Sequence, residues 1–205
     1  MKIDSNILID ELIELSESAT LTVQGFKKLS IEQLNYKRDT DTWSILECIE
    51  HLNLYGDYYL PAIEQSMLKQ KPKHEKMIFK SGLLGNYFAN LMQVKNGKMM
   101  KMKSPKDKNP NQSILSITTL DRFLKQQESL KNLLVQARSI DLTKTKVSIS
   151  IAKYIKLRLG DTFRFFIYHI ERHVLQAEKT KGYWGANYNQ NIKEELEKTS
   201  PIKYE

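Results

Sequence analysis

Apolar residues recur along this chain at spacings of three and four in four separate stretches, and each stretch reads as an amphipathic helix. From Ser5, the positions Leu8, Leu12, Leu15, Ala19, Val23 and Phe26 predict a first helix running to about Leu29, with the acids Asp10, Glu11 and Glu14 near its start. SIEQLNYKRDTDT follows as a polar connection. A second helix is expected from Ser44, because Ser44 and Glu47 stand at capping-box spacing, and Ile45, Ile49, Leu52, Tyr59 and Ile63 form its stripe. Pro61 lacks a backbone donor and should kink this helix or loosen one turn. A third helix follows from Thr119, with Phe123, Leu130, Leu134 and Ala137 on its core side and Gln127 among them. Val147, Ile149 and Ile151 alternate, which predicts a short extended stretch.

The last stripe is the strongest. Phe163, Phe166, Ile167, Ile170, Val174 and Ala177 predict one helix over 160–182, with Asp161 as its N-cap and Gly182 as its stop. Arg164, Glu171 and Glu178 fall on its wet side. The tail, approximately 183–205, is expected to add a further turn or short helix. Four helices of this length make an all-α four-helix bundle the economical architecture.

Composition narrows the picture. With 205 residues, 40% of them hydrophobic, a single domain over 1–205 can bury a sizeable core. One cysteine excludes an internal disulfide framework and suits a reducing compartment, so a cytoplasmic location is expected. No run reaches the roughly 18 apolar residues of a membrane span, and the start, MKIDSNILIDELIELSES, is too acidic for a secretory signal. The net charge of +8 is unevenly placed: 69–108 holds eleven lysines against Glu75 and Asp107. An insert of approximately 69–118 therefore carries the whole excess, and the rest of the chain is close to neutral. Within it SGLLGNYFANLMQVKNG predicts a short helix and KMMKMKSPKDKNPNQ a mobile loop that could act as a lid or attract an anion. A solvated loop is the commoner role of such lysines, and with no interleaved aromatic platform or DNA-binding motif they argue against nucleic acid.

The chemistry lies in the histidines. His169 and His173 are one helical turn apart, and His51 falls on the corresponding shoulder of the second helix. Two imidazoles at this spacing can share a divalent ion, and a third ligand from a facing helix strengthens the site. Cys48, Tyr55 and Tyr58 share the sector of His51. A helical cysteine is more often a small core residue than a ligand, and aromatics at this spacing more often pack than react. Glu47 is accounted for by its cap, and His74, among lysines, is expected to be exposed.

Trp43-Ser44 with Glu47 and His51-Leu52, followed by His169-x-x-Arg172-His173 and Gln176, resembles the DinB-like superfamily, which includes damage-inducible DinB proteins and YfiT-like proteins regarded as metal-dependent hydrolases. The likeness covers helices two and four closely and leaves the insert and tail outside it. It implies an up-down-down-up bundle, frequently a homodimer, with nickel, zinc or iron on a triad that maps to His51, His169 and His173. It also implies thiol S-transferase or hydrolase chemistry on a small-molecule substrate, with a low-molecular-weight thiol as one partner. Tyr55, Tyr58 and Gln176 are the expected pocket residues. Physically, three neutral nitrogens leave a divalent ion cationic and open, able to acidify a bound thiol or water. No carboxylate on the histidine shoulders offers itself as a general base, so a binding or stress-response module with a structural or absent metal is the alternative.

Overall fold

The apolar stripes face one another in a computed structural model of the chain, which describes residues 1–73, 77–95, 97, 102–150 and 152–199, with backbone alone at 153 and 186–199. Four long helices carry them: α1 (Ser5–Phe26), α3 (Ile45–Leu68), α5 (Thr118–Ala137) and α6 (Leu159–Thr199), with the short α2 (Ile31–Asn35) and α4 (Leu83–Met92) between. Two antiparallel strand pairs are added at the margins. β1 (Lys2–Asp4) sets Ile3 opposite Phe79 of β2 (Ile78–Lys80), and β3 (Lys146–Ile149) sets Val147 opposite Leu157 of β4 (Ala152–Arg158). The chain is thus mostly helical; β3 falls in the stretch expected to be extended, and β1, β2 and β4 were not anticipated.

Each of α1 and α3 packs against both α5 and α6. Asp10 with Arg138, Glu17 with Lys131 and Lys27 with Asp121 pair α1 antiparallel to α5. Arg122 reaches Glu50 and Asp57, and Asn53 donates to the Thr119 carbonyl, so α3 and α5 run parallel. Such exposed pairs contribute about 0–1 kcal/mol each and mark orientation. Cohesion comes from the apolar interior, where Ile9, Val23, Ile49, Phe123, Phe163 and Ile167 are fully buried; each is worth about 1.5–3 kcal/mol.

Local signals set the helix starts. Asp4 accepts from the Asn6 amide at the head of α1. Ser44 and Glu47 form the predicted capping box, and Ser30 with Gln33 forms a second on α2, inside the stretch read as a polar connection. The first long helix ends at Phe26, one turn short of the expected Leu29, and α3 continues through Pro61 to Leu68.

The last helix departs most from expectation. It begins at Leu159, directly on the end of β4, so Asp161 is not its N-cap. The leading amides of Leu159 and Gly160 are met by the Thr145 and Leu142 carbonyls instead. Asp161 is wholly buried and accepts from the Gly82 amide and the Ser81 hydroxyl. Arg164 is buried beside it rather than wet, 3.3 Å away, and also donates to Asn86. A Cβ on Gly85 would stand 2.5 Å from the Asp161 side chain, so α4 docks here only because that residue is glycine. Gly182 does not stop α6, which continues to Thr199. Its added turns rest on the 36–38 segment, where Trp184 meets Tyr36 edge-on and Arg38 covers Tyr183.

Described parts of 69–118 pack against the helices. Among the described residues, the insert's regular elements are β2, α4 and a 3₁₀ turn at 106–108, and α4 lies along α6. The 104–112 segment is tied down: Gln112 donates its amide to Glu47, and Lys37 bridges Asn111 and Glu47. His74 and Ile151 lie outside the described residues. No helix among the described residues is long and apolar enough to cross a membrane.

Candidate metal centre

α3 and α6 cross with the start of one beside the later turns of the other, and Thr180 donates to the Trp43 carbonyl. This antiparallel contact brings His51 to His169 and His173. All three are buried, at 2%, 4% and 9% exposure, and their ring nitrogens lie within 4.8 Å of one another. Among the described residues they form the one cluster of three or more such donors that could hold an ion; Cys48 is fully buried elsewhere in the core, its thiol pushed up by desolvation.

The orientation of two rings follows from their outer nitrogens. His51 Nδ1 lies 2.5 Å from the Lys108 carbonyl oxygen, which can only accept, so Nδ1 holds the proton and Nε2 keeps its lone pair. His173 Nδ1 likewise faces the Gln176 side-chain oxygen at 3.0 Å. His51 Nε2 and His169 Nε2 are 3.1 Å apart. Nitrogens about 2.1 Å from a shared ion stand about 3.0–3.4 Å apart for angles from square to tetrahedral, so the pair fits a common ligand sphere. The same contact can instead hold one proton, supplied by His169, whose buried Nδ1 has no hydrogen-bond partner.

Burial keeps the imidazoles uncharged. Desolvation pushes His51 down to about 4, partly offset by its bond to Lys108. His169 and His173 are held well below the usual histidine range, by desolvation first and then because a proton on either would be repelled by the other ring sites of the triad and by Arg172. Neutral imidazole is the form that ligates.

A cavity of about 960 Å³ opens beside the histidines. Trp43 packs on His51 and His173, at 4.8 and 5.6 Å between ring centroids, and Tyr55 packs on His51 and His169 at 5.0 and 4.5 Å. Tyr55 and Gln176 line the cavity. Tyr58 stands outside it and donates its hydroxyl to the Ile149 carbonyl. Burial lifts the Tyr55 phenol to about 12, so it stays protonated and can donate.

Residues 14–177 match the DinB superfamily, and that span includes His51, His169 and His173. The chain belongs to the DinB superfamily. No curated protein and no solved structure matches it significantly. The match contains all of 69–118, with α3 and α5 whole and α1 and α6 in part, and three buried histidines close together are compatible with a metal site in such a protein.

Sequence reasoning missed several parts of this DinB centre. Phe165, next to His169, and Tyr59 belong to the cavity wall as well as to the core. The Lys108 carbonyl carries no side-chain signal at all, and its position depends on how 104–112 folds back over α3. Ser44 and Glu47, by contrast, are readable in advance and place the start of α3, hence the height of His51.

Proposed function

We propose that this chain is a divalent-metal-dependent enzyme, with His51, His169 and His173 as ligands and thiol S-transfer or hydrolysis as the reaction. The observation that carries the reading is the convergence of three neutral, desolvated imidazoles beside a cavity large enough for a small molecule. In this reading the chain is one DinB-like domain of the up-down-down-up type, 1–205, with an insert at approximately 69–118. It acts in the cytoplasm, as a homodimer, on a small-molecule substrate with a low-molecular-weight thiol as one candidate partner.

Nickel, zinc or iron, when bound, would supply Lewis acidity that lowers the pKa of a thiol or water. The chain's own residues perform the rest. Lys108 and Gln176 hold the rings of His51 and His173 so that Nε2 faces inward. Trp43 and Tyr55 close the flanks of the triad and exclude water, and the protonated Tyr55 hydroxyl is available to donate to an anionic group in the cavity.

Elemental mass spectrometry of tag-free protein, beside His51→Ala and His173→Ala, tests the ligand set. About one ion per chain, lost in both variants while helicity is kept, is expected. No ion after incubation with nickel, zinc and iron(II) would overturn it. The 3.1 Å contact of His51 with His169 favours one second reading, a metal-free binding or stress-response module in which that contact is a hydrogen bond. Nitrogen-15 NMR separates the two, because only the module puts the His169 proton on Nε2.

A further inference from the structure

The cavity follows one face of α6, and its two ends differ in chemistry. Phe165, His169, Arg172, Gln176, Lys179 and Tyr183 line it at spacings of three and four, so they share one side of the helix. At 1.5 Å per residue, Phe165 and Tyr183 are about 27 Å apart along the axis, with the histidines between them.

At the Phe165 end the walls are apolar. Phe165 lies 5.7 Å from Tyr59 and 6.5 Å from Phe88, centroid to centroid. Every residue that α4 contributes to the lining, Phe88, Leu91 and Met92, is apolar. At the Tyr183 end the groups are cationic: Arg38 lies over the Tyr183 ring at 5.0 Å, and Lys179 projects from the preceding turn. With Arg172 and Lys103, four cationic side chains line the cavity against one carboxylate, Asp41. This excess of cationic over anionic side chains makes the field in the cavity positive and favours an anion.

We propose that the cavity takes an amphiphilic anion, its anionic head toward Arg172, Lys179 and Arg38 and its apolar chain over Tyr59, Phe88 and Leu91. This rests on the reading of the cavity as the substrate site. The seven steps from Phe165 to Arg172 span about 10 Å of helix, a distance that a medium-length alkyl chain covers. The reactive part of such a ligand passes the histidines between head and chain. Neither end alone specifies it: a short polar anion leaves the aromatic end wet, and a neutral hydrocarbon makes no use of the positive field.

Isothermal titration calorimetry on the full chain, metal-free and zinc-loaded, with acetate, hexanoate, octanoate and octan-1-ol as probes tests this. Affinity is expected to rise about three- to fourfold for each added methylene of the carboxylates. Octan-1-ol should bind at least about tenfold more weakly than octanoate, the order of one charge-assisted contact. Lys179→Gln combined with Arg38→Gln should narrow that gap, and Leu91→Asp should flatten the dependence on chain length, with circular dichroism checking the fold of each. Octanoate binding no better than acetate, or no better than octan-1-ol, in both metal states overturns the proposal. Zinc taken up without any octanoate preference would sink this inference and leave the triad standing; octanoate preference in protein that takes up no zinc would do the reverse.

Discussion

The ring proton of His51 is held by the main-chain carbonyl of Lys108, 57 positions along the chain and within the lysine-rich insert. A helix-borne histidine therefore takes its orientation from a segment that composition alone marks as solvated loop. Ser104 and Lys108 support that carbonyl from either side: the Ser104 hydroxyl donates to it at 3.1 Å, and the Lys108 ammonium anchors to the Leu54 carbonyl at 2.9 Å.

Replacing 104–110 with a glycine-serine linker should therefore weaken zinc binding about 10- to 100-fold, the usual effect of losing an outer partner of a ligating histidine. Stoichiometry and helicity should persist. Chelator competition would measure the change; unaltered affinity would mean that the Lys108 carbonyl has no part in orienting the ring.

Glu47 joins two tasks. One oxygen closes the capping box on Ser44, and the other accepts from Lys37 and from the Gln112 amide. Glu47→Ala should cost about 2–4 kcal/mol in urea unfolding, more than the loss of a cap alone, because Lys37 and the Gln112 amide lose their acceptor together with the buried Ser44 amide. A loss under about 1 kcal/mol would show that the link to Gln112 contributes nothing.

The pH dependence has a defined sign. A histidine kept neutral by burial binds fewer protons when folded than when unfolded, so stability rises with pH between the two values. For His51 the window runs from about 4 to the ordinary 6.5, and His169 and His173 act in the same direction. The urea midpoint of metal-free protein should be flat above about pH 7 and fall steadily from 6.5 toward 4. A His173→Gln variant should show a shallower fall, and an unchanged slope would place the titration elsewhere.

Asp161 and Arg164 form a buried pair that docks the insert onto α6. Asp161→Ala leaves a guanidinium in the interior and should cost about 3–5 kcal/mol. The double variant Asp161→Leu with Arg164→Met should recover at least half of that in thermal unfolding. No recovery would mean that the acceptor role of Asp161 toward Ser81 and Gly82 matters more than its charge.

Cys48 should be silent toward thiol reagents in the folded protein and react fully in urea, since its side chain is buried and burial opposes the thiolate. Rapid labelling of the native state would require an opening of α3 near the histidines.

What the sequence made legible follows from range. The stripes of α1, α3 and α5, the capping box at Ser44 and the i, i+4 placement of His169 and His173 are local patterns, readable from spacing. Facing of His51 toward α6 was legible only as a matching shoulder. Asp161 misled because a carboxylate near a helix start normally caps it, whereas here β4 leaves no gap for a cap and the side chain turns to α4. Gly182 misled because the cost of one glycine, about 1 kcal/mol, is offset by contacts of Tyr183 and Trp184 that no local rule anticipates. Tyr58 and Tyr59 are adjacent, and whether one or the other reaches the cavity depends on where the β3–β4 hairpin lies.

The seamless passage from β4 into α6 turns strand register into helical phase. Leu157 is pinned opposite Val147, and Leu159 and Gly160 are pinned by the Thr145 and Leu142 carbonyls, so no slack separates the two elements. One residue inserted between Arg158 and Leu159 would rotate every later side chain by about 100° about the helix axis. Such an insertion would leave the helix as helical as before while swinging His169 and His173 away from His51. The hairpin thus acts as an angular index for chemistry that lies three turns downstream.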